Sequence, residues 1–177
     1  MKDLFIMENR ENRIEVNLPE NEIGEFNIRK SKQDYGIITE LFYQDIPIMS
    51  DRPSEFNEHI PFFSLQLQGN VLISGLGIGF INEVLITIPE IEKVVIVEKH
   101  QEVIDLVWPH CKKDERFELI HADADKWKPT MNFDFAWLDS WIEHDKIEQE
   151  DWWDITTKKY SQYCETVMVW KPTHKMT

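Results

Sequence analysis

The chain has 177 residues, of which 42% are hydrophobic and 29% charged, a composition typical of a globular protein with one core and a small appendage. Its net charge of −14 argues against a nucleic-acid partner, because phosphate recognition needs clustered Lys and Arg. No window resembles a transmembrane helix and the start lacks a signal-peptide core, so we expect a cytoplasmic protein without a membrane partner. The cysteines and histidines have no metal-ligand spacing, so no metal site is expected.

The first part of the chain, residues 1–50, contains short apolar segments separated by turn residues. Strands are predicted within residues 13–19, 25–31 and 35–49. We therefore expect a small N-terminal β segment, built as an antiparallel sheet or a pair of hairpins. A helix then begins near Asp51 or Ser54, with Pro53 in its first turn.

From residue 51 to residue 177, helical patterns alternate with continuous apolar segments. Strands are predicted at 70–75, 93–99, 117–123, 133–139 and 165–171. Such strands are buried on both faces, which is typical of a parallel sheet covered by helices. With right-handed crossovers, the pattern predicts an α/β fold with a Rossmann-like, doubly wound, mostly parallel sheet of about five strands.

The first of these strands ends in three glycines at every second position, Gly75, Gly77 and Gly79. Glycines at this place let the backbone approach a ligand, because ligands bind at the carboxyl ends of strands in such sheets. Their spacing is G-x-G-x-G rather than the G-x-G-x-x-G of dinucleotide-binding folds. Taken alone, the glycine run fits tight packing of a strand on a helix equally well.

Carboxylates end the next three strands. Glu98 is placed to accept hydrogen bonds from two ribose hydroxyls, and Asp123 or Asp125 from an adenine amino group. Asp139 ends the fourth strand, two residues before Trp141. Each acid alone is explained as a helix or turn cap. All of them at strand ends after a glycine turn predict a ligand that contains a nucleoside.

These motifs resemble class I S-adenosylmethionine-dependent methyltransferases and, within them, the spermidine synthase-like (aminopropyltransferase) branch. The resemblance runs from about residue 36 to residue 140 and includes HIPFFSLQLQGNVLISGLGIG, VVIVEKHQEVIDLV, RFELIHADA and FDFAWLDSW. The β-rich start of the chain is also similar to that branch, which carries an N-terminal β-hairpin domain.

The resemblance implies S-adenosylmethionine as the cofactor. It places the three glycines under the methionine part, Glu98 at the ribose hydroxyls, and Asp123 with Ala124 at the adenine. Asp139 is implied as the catalytic residue beside the sulfonium, where it orients or deprotonates an amine or hydroxyl acceptor. Trp141 is predicted to stack on the adenine or on a cationic acceptor.

The chain departs from the aminopropyltransferase pattern at three places. Ile78 stands where the branch carries an acid in its glycine loop. The fourth-strand motif lacks the second Asp-Pro, and Ser54 and Glu55 replace a Tyr-His pair. These differences favour ordinary S-adenosylmethionine over its decarboxylated form, and thus methyl transfer over aminopropyl transfer.

The sequence therefore predicts a methyltransferase with an unidentified small-molecule acceptor. Residues 139–154 hold seven carboxylates against Lys146, a field that attracts cations such as amines, although a solvated helix face is the simpler explanation. The alternatives are an aminopropyltransferase acting on a diamine and a non-catalytic module that binds S-adenosylmethionine.

The sequence ends shortly after the fifth predicted strand, so we expect the terminal antiparallel hairpin of this fold to be missing. The fifth strand would then present an open edge. We expect the N-terminal β segment or a second copy of the chain, in a homo-oligomer, to cover it.

Overall fold

The computed structural model describes residues 13–140 and 149–171, which form two separate β-sheets. The first is a four-stranded antiparallel sheet in chain order. Its strands are β1 (Asn21–Ile23), β2 (Phe26–Gln33), β3 (Gly36–Tyr43) and β4 (Ile46–Ser50). Two-residue turns join them, and at Gln44 and Asp45 both φ angles are positive, as a tight hairpin turn requires.

The second sheet has five strands, all parallel, in the spatial order β7-β6-β5-β8-β9. They are β5 (Gly69–Ser74), β6 (Ile91–Glu98), β7 (Phe117–His121), β8 (Phe133–Leu138) and β9 (Cys164–Val169). The helices are α1 (Pro53–Phe63), α2 (Phe80–Leu85), α3 (Gln101–Val107) and α4 (Gln149–Tyr160). The strand order reverses between β5 and β8, which confirms the predicted Rossmann-like, doubly wound fold.

Apolar side chains cover both faces of the five-stranded sheet. Val71 and Ile73 point into a core with α1, α2 and α3, while Leu72, between them, points into a second cluster with α4. This alternation is the period of two expected of a strand buried on both faces. Phe26 and Leu41 of the N-terminal sheet belong to the first core, so the two sheets share buried apolar surface.

One predicted strand is wrong, and one of the two predicted covers for β9 is not found. The segment 35–49, predicted as one strand, forms β3 and β4, with a turn at Gln44 and Asp45. Residues 13–19 form no strand; Val16 and Leu18 are buried, and the Val16 carbonyl accepts a hydrogen bond from Thr39 Oγ1 (2.7 Å). The N-terminal strands also do not pair with β9, because β1 and β2 lie against α3 instead. Within the described residues, β9 keeps an outer edge without a strand partner.

No helix in the described ranges is long and apolar enough to cross a membrane.

Asp51 ties the segment before β1 to the N-terminal sheet. Its side chain is fully buried, and Oδ2 accepts hydrogen bonds from the Val16 amide (3.0 Å) and from Arg13 Nη2 (2.6 Å). Its Oδ1 accepts one from the Thr39 amide (2.9 Å). A single buried carboxylate thus replaces the strand pairing that the sequence pattern suggested for residues 13–19.

We expect Asp51→Ala to destabilise the fold by about 2–4 kcal/mol, because two backbone amides and a guanidinium lose a buried acceptor. Thermal unfolding should show a fall in Tm of about 5–15 °C. The control is Asp45→Asn at the exposed ion pair with Arg29, where a change below about 1 kcal/mol is expected. Equal effects of the two substitutions would contradict this account.

Candidate functional site

A pocket of about 240 Å³ lies where the carboxyl ends of β5, β6, β7 and β8 meet. Most of the residues predicted for a site line this one pocket: Gly75, Gly77, Glu98, Asp123, Ala124 and Asp139. Gly79 does not line it; a Cβ there would lie 2.6 Å from Cys111 Cβ, so Gly79 serves close packing at the start of α2. Trp141 lies outside the described residues.

The glycine loop after β5 is shaped by two positions where a side chain does not fit. At Gly75, φ is +91° and a Cβ would lie 2.1 Å from the Asp139 carbonyl oxygen. At Gly77, φ is +52° and a Cβ would lie 2.0 Å from Met49 Sδ. Both angles are in the left-handed region that favours glycine. The loop therefore lies directly against the end of β8 on one side and against β4 on the other.

Glu98 joins this loop to the end of β6. It is 6% exposed, its Oε2 accepts a hydrogen bond from the Leu76 amide (2.9 Å), and its Oε1 accepts one from the His100 amide (2.8 Å). An ionised carboxylate has roughly four acceptor positions. About two of them therefore remain for donors of a bound ligand.

The turn after β7, which contains Asp123, Ala124 and Asp125, is held by its own hydrogen bonds and by side chains of α4. Asp123 accepts a hydrogen bond from the Asp125 amide (3.0 Å) and pairs with Lys126 (2.7 Å). Partial burial raises the pKa of Asp123, but these two contacts outweigh it and lower the pKa overall. The Ala124 carbonyl accepts a hydrogen bond from the Tyr160 hydroxyl (2.7 Å), and Asp125 accepts one from Trp152 Nε1 (3.1 Å). Asp125 is thus tied to α4.

Asp139 ends β8 at the other end of the pocket. Its amide donates to the Ser74 carbonyl (3.0 Å), and its side chain is 23% exposed. Burial, followed by the negative charge of Glu58, raises the pKa of Asp139 to about 7. Its carboxylate therefore changes charge near neutral pH, which suits a general base.

Helix α1 places two further acids and a histidine around Asp139. Glu55 lines the pocket, and burial together with the charge of Asp139 raises its pKa to about 8. Glu58 accepts a hydrogen bond from Trp170 Nε1 (2.9 Å), and His59 Nε2 lies 3.9 Å from Asp139 Oδ2. We call Glu55, Glu58, His59 and Asp139 the acidic cluster. Across residues 13–140 and 149–171, no group of three or more ligand-type side chains is arranged to hold a metal ion.

Sequence reasoning did not identify Glu58 or His59 as site residues and treated Glu55 only as a departure from a family pattern. Spacings of three and four residues place the three on one face of α1, a signal the sequence does contain. The apolar wall of the pocket was also missed. That wall comes from the N-terminal sheet and consists of Phe26, Leu41, Ile46, Pro47, Ile48 and Met49.

No protein-family model matches the chain, and no curated protein matches it. Among solved structures, the N-methyltransferase NodS from Bradyrhizobium japonicum WM9 is similar with a TM-score of 0.51 and 15% identity, over 64% of each chain. NodS in complex with S-adenosyl-L-homocysteine gives 0.50 at 15% identity, over 64% of this chain and 58% of that one.

Two further structures are similar at lower scores. A DhpI complex has a TM-score of 0.47 and 18% identity over 62% of this chain, and spermidine synthase from Thermotoga maritima has 0.49 and 19% over 86%. The match spans 50% of the DhpI chain and 64% of the spermidine synthase chain, less than two thirds of either protein. The NodS matches show that the chain shares the fold of that N-methyltransferase.

We expect Glu55→Gln to stabilise the protein at pH 8 but not at pH 5. The folded-state pKa of Glu55 is raised to about 8, so the folded protein binds a proton at Glu55 more tightly than the unfolded chain does. The stability that this bound proton contributes is lost as pH rises from about 5 to 8. Glutamine stays neutral and avoids that loss. The expected gain at pH 8 is about 1 kcal/mol or more, or roughly 2–4 °C in Tm.

The measurement is thermal unfolding of both proteins at several pH values. Glu15→Gln, at an exposed position, is the matched control and should change Tm little at any pH. A Tm difference for Glu55→Gln that is the same at pH 5 and pH 8 would show that the Glu55 carboxyl is not buried against other acids.

Proposed function

We propose that the pocket binds S-adenosylmethionine and that the protein transfers its methyl group to a small-molecule acceptor. The observation that carries the proposal is the convergence of the glycine loop, Glu98 and the Asp123 turn on one pocket at the switch point of the sheet. The fold is consistent with this cofactor, and a NodS structure contains its product form. The chemistry is inferred from the pocket's own residues.

Each part of such a cofactor has matching residues in the pocket. The free acceptor positions of Glu98 suit two adjacent ribose hydroxyls. Asp123 and Ala124, at the end of β7, suit the adenine, and the glycine loop, which lines the pocket at Gly75 and Gly77, suits the methionine part. The six apolar residues of the N-terminal sheet would cover the opposite side of the ligand and exclude water.

The cofactor supplies an electrophilic methyl group on a sulfonium, which the acceptor attacks in line. The protein's own task is then to hold the acceptor and to keep its nucleophilic atom unprotonated. Asp139 is placed for both, because it lines the pocket and its pKa of about 7 lets it take a proton near neutral pH.

We propose a cationic acceptor, such as a protonated amine. Glu55 and Asp139 both line the pocket. Burial, followed by the charge of Asp139, raises the pKa of Glu55, and burial, followed by the charge of Glu58, raises that of Asp139. A bound ammonium group would offer hydrogen-bond donors and an opposite charge to both carboxylates. A cytoplasmic location and assembly into a homo-oligomer stay predictions from the sequence.

Aminopropyl transfer from decarboxylated S-adenosylmethionine is the second candidate. The carboxylates lining the pocket are Glu55, Glu98, Asp123, Asp125 and Asp139, and the one Lys or Arg among the described lining residues is Lys99. A pocket of this charge opposes the carboxylate of ordinary S-adenosylmethionine and accepts a cofactor without it. Ile78, where the aminopropyltransferases carry an acid, still favours methyl transfer.

Calorimetric titration with S-adenosyl-L-homocysteine tests the proposed cofactor. We expect binding to the parent protein and a loss of affinity of about 10- to 100-fold in Glu98→Gln, because the neutral amide is a poorer acceptor for two ribose hydroxyls. Glu92→Gln, exposed on the same strand, is the matched control and should bind like the parent. No heat of binding from the parent at millimolar ligand would refute the proposed cofactor.

The two transfer reactions are separated by supplying S-adenosylmethionine or its decarboxylated form with a panel of amines. We expect methylated amine and S-adenosyl-L-homocysteine from the first and no aminopropylated product from the second. Asp139→Asn should still bind S-adenosyl-L-homocysteine but form product at least about 100-fold more slowly. If product forms with decarboxylated S-adenosylmethionine but not with ordinary S-adenosylmethionine, the second candidate is established. Tight binding of the cofactor without turnover of either form would indicate a non-catalytic module.

A further inference from the structure

His59 is a fully buried histidine whose ring is held in place by aromatic neighbours. Its side chain has no solvent exposure. The ring centroid lies 5.8 Å from that of Phe63, 5.2 Å from that of Phe80 and 4.9 Å from that of Trp137. Close packing on several sides leaves the ring little freedom to turn, so the direction of each ring nitrogen is fixed by the fold.

The two ring nitrogens of His59 have different roles. Nδ1 lies 2.8 Å from the Glu55 carbonyl oxygen, which only accepts, so Nδ1 carries the hydrogen and donates it. Burial lowers the pKa of His59 to about 4, which keeps the ring neutral at physiological pH. Nε2 is then an acceptor with a free lone pair, and within the described residues no hydrogen-bond donor reaches it. An unsatisfied buried nitrogen calls for an explanation.

Nε2 of His59 lies near the carboxylate of Asp139. Nε2 and Asp139 Oδ2 are 3.9 Å apart, beyond hydrogen-bond distance. When Asp139 is ionised, both atoms are acceptors, and two acceptors do not approach more closely. A proton on Asp139 turns the same pair into a donor and an acceptor, for which a small side-chain rotation would close the gap.

Burial and nearby carboxylates favour that proton, whereas a hydrogen bond from the Trp137 side chain acts against it and lowers the pKa of Asp139. From α1, the carboxylates of Glu55 and Glu58 act on it, and Glu58 is held in place by Trp170 Nε1. From β5, the Ser74 carbonyl accepts the Asp139 amide hydrogen and contributes no charge. Nearby negative charge and burial both stabilise the neutral acid, and His59 offers that acid its acceptor.

We propose that His59 is a positioning residue that acts through Asp139: when Asp139 takes a proton, its new O–H group donates to Nε2 of His59. The acceptor nitrogen stabilises the protonated acid and fixes its orientation, while the second carboxylate oxygen stays directed at the pocket. His59 itself does not contact the ligand, because its side chain is completely enclosed.

The catalytic use of this pair rests on the proposed function. An N–H or O–H bond of the acceptor breaks, its electron pair stays on the acceptor atom, and the proton forms an O–H bond to Asp139. The proton arrives on the oxygen that faces the pocket, so the carboxyl group rotates to bring the new O–H to His59 Nε2, which accepts a hydrogen bond without taking the proton itself. The 23% of the Asp139 side chain that is exposed offers the proton a way to solvent afterwards.

Nitrogen-15 NMR of the histidine rings, recorded as a pH titration without cofactor, tests the pair directly. We expect the Nε2 signal of His59 to move between two plateaus, both typical of a neutral ring, with a midpoint near pH 7. The low-pH plateau is the one with the hydrogen bond, because Asp139 is protonated below its pKa.

Two variants make the test specific. In Asp139→Leu the His59 signal should stay at the high-pH value throughout. In Glu58→Gln, which keeps an acceptor for Trp170, the midpoint should move to lower pH, because a negative charge beside Asp139 is removed. This second variant decides the matter if Asp139→Leu does not fold.

A His59 signal that does not change between pH 5 and 9 would overturn the proposal, and so would full protonation of the ring with a midpoint near 7. Neither result bears on the cofactor, because no ligand is present in the NMR sample. Binding of S-adenosyl-L-homocysteine, measured separately, keeps failure of the proton-sharing pair distinguishable from failure of the proposed function.

Discussion

The buried carboxylate of Glu98 is the contact on which the pocket depends. It accepts one amide hydrogen from the glycine loop, at Leu76, and one from the start of the next connection, at His100. Without it, two strand ends of a parallel sheet would each carry an unsatisfied amide beside an open cavity. Glu98 also lines the pocket, so the shape of the pocket and the proposed recognition of a ribose depend on a single group.

The opposite end of the pocket is organised by charge rather than by backbone geometry. Three carboxylates and a neutral histidine meet there, and burial and mutual repulsion leave Glu55 and Asp139 with raised pKa values. Such an arrangement costs stability in the absence of a positive partner, and it is the kind of local cost that proteins concentrate at functional sites. Under the proposed function, the two ends of the pocket divide the work: one would hold a nucleoside, and the other would take up a proton.

Much of the fold could be predicted because strand burial imposes a visible period on the sequence. The five parallel strands and the acids at their ends follow from apolar runs and turn residues alone. The segment 13–19 could not be assigned correctly, because a side chain, Asp51, takes the place of a strand partner. Glu58 and His59 were missed for a related reason. Their spacing is that of any helix face, and only packing against Phe80 and Trp137 shows that this face is buried.

The contact between Met49 and the glycine loop has a consequence for how this chain can vary. Met49 Sδ fills the space that a side chain at Gly77 would need, and it accepts a hydrogen bond from the Ile78 amide (3.4 Å). The N-terminal sheet is therefore a fitted wall of the pocket rather than an attachment to it. A related sequence with a side chain at Gly77 would need a change in β4 at Met49 as well. We therefore expect the two sheets to evolve together.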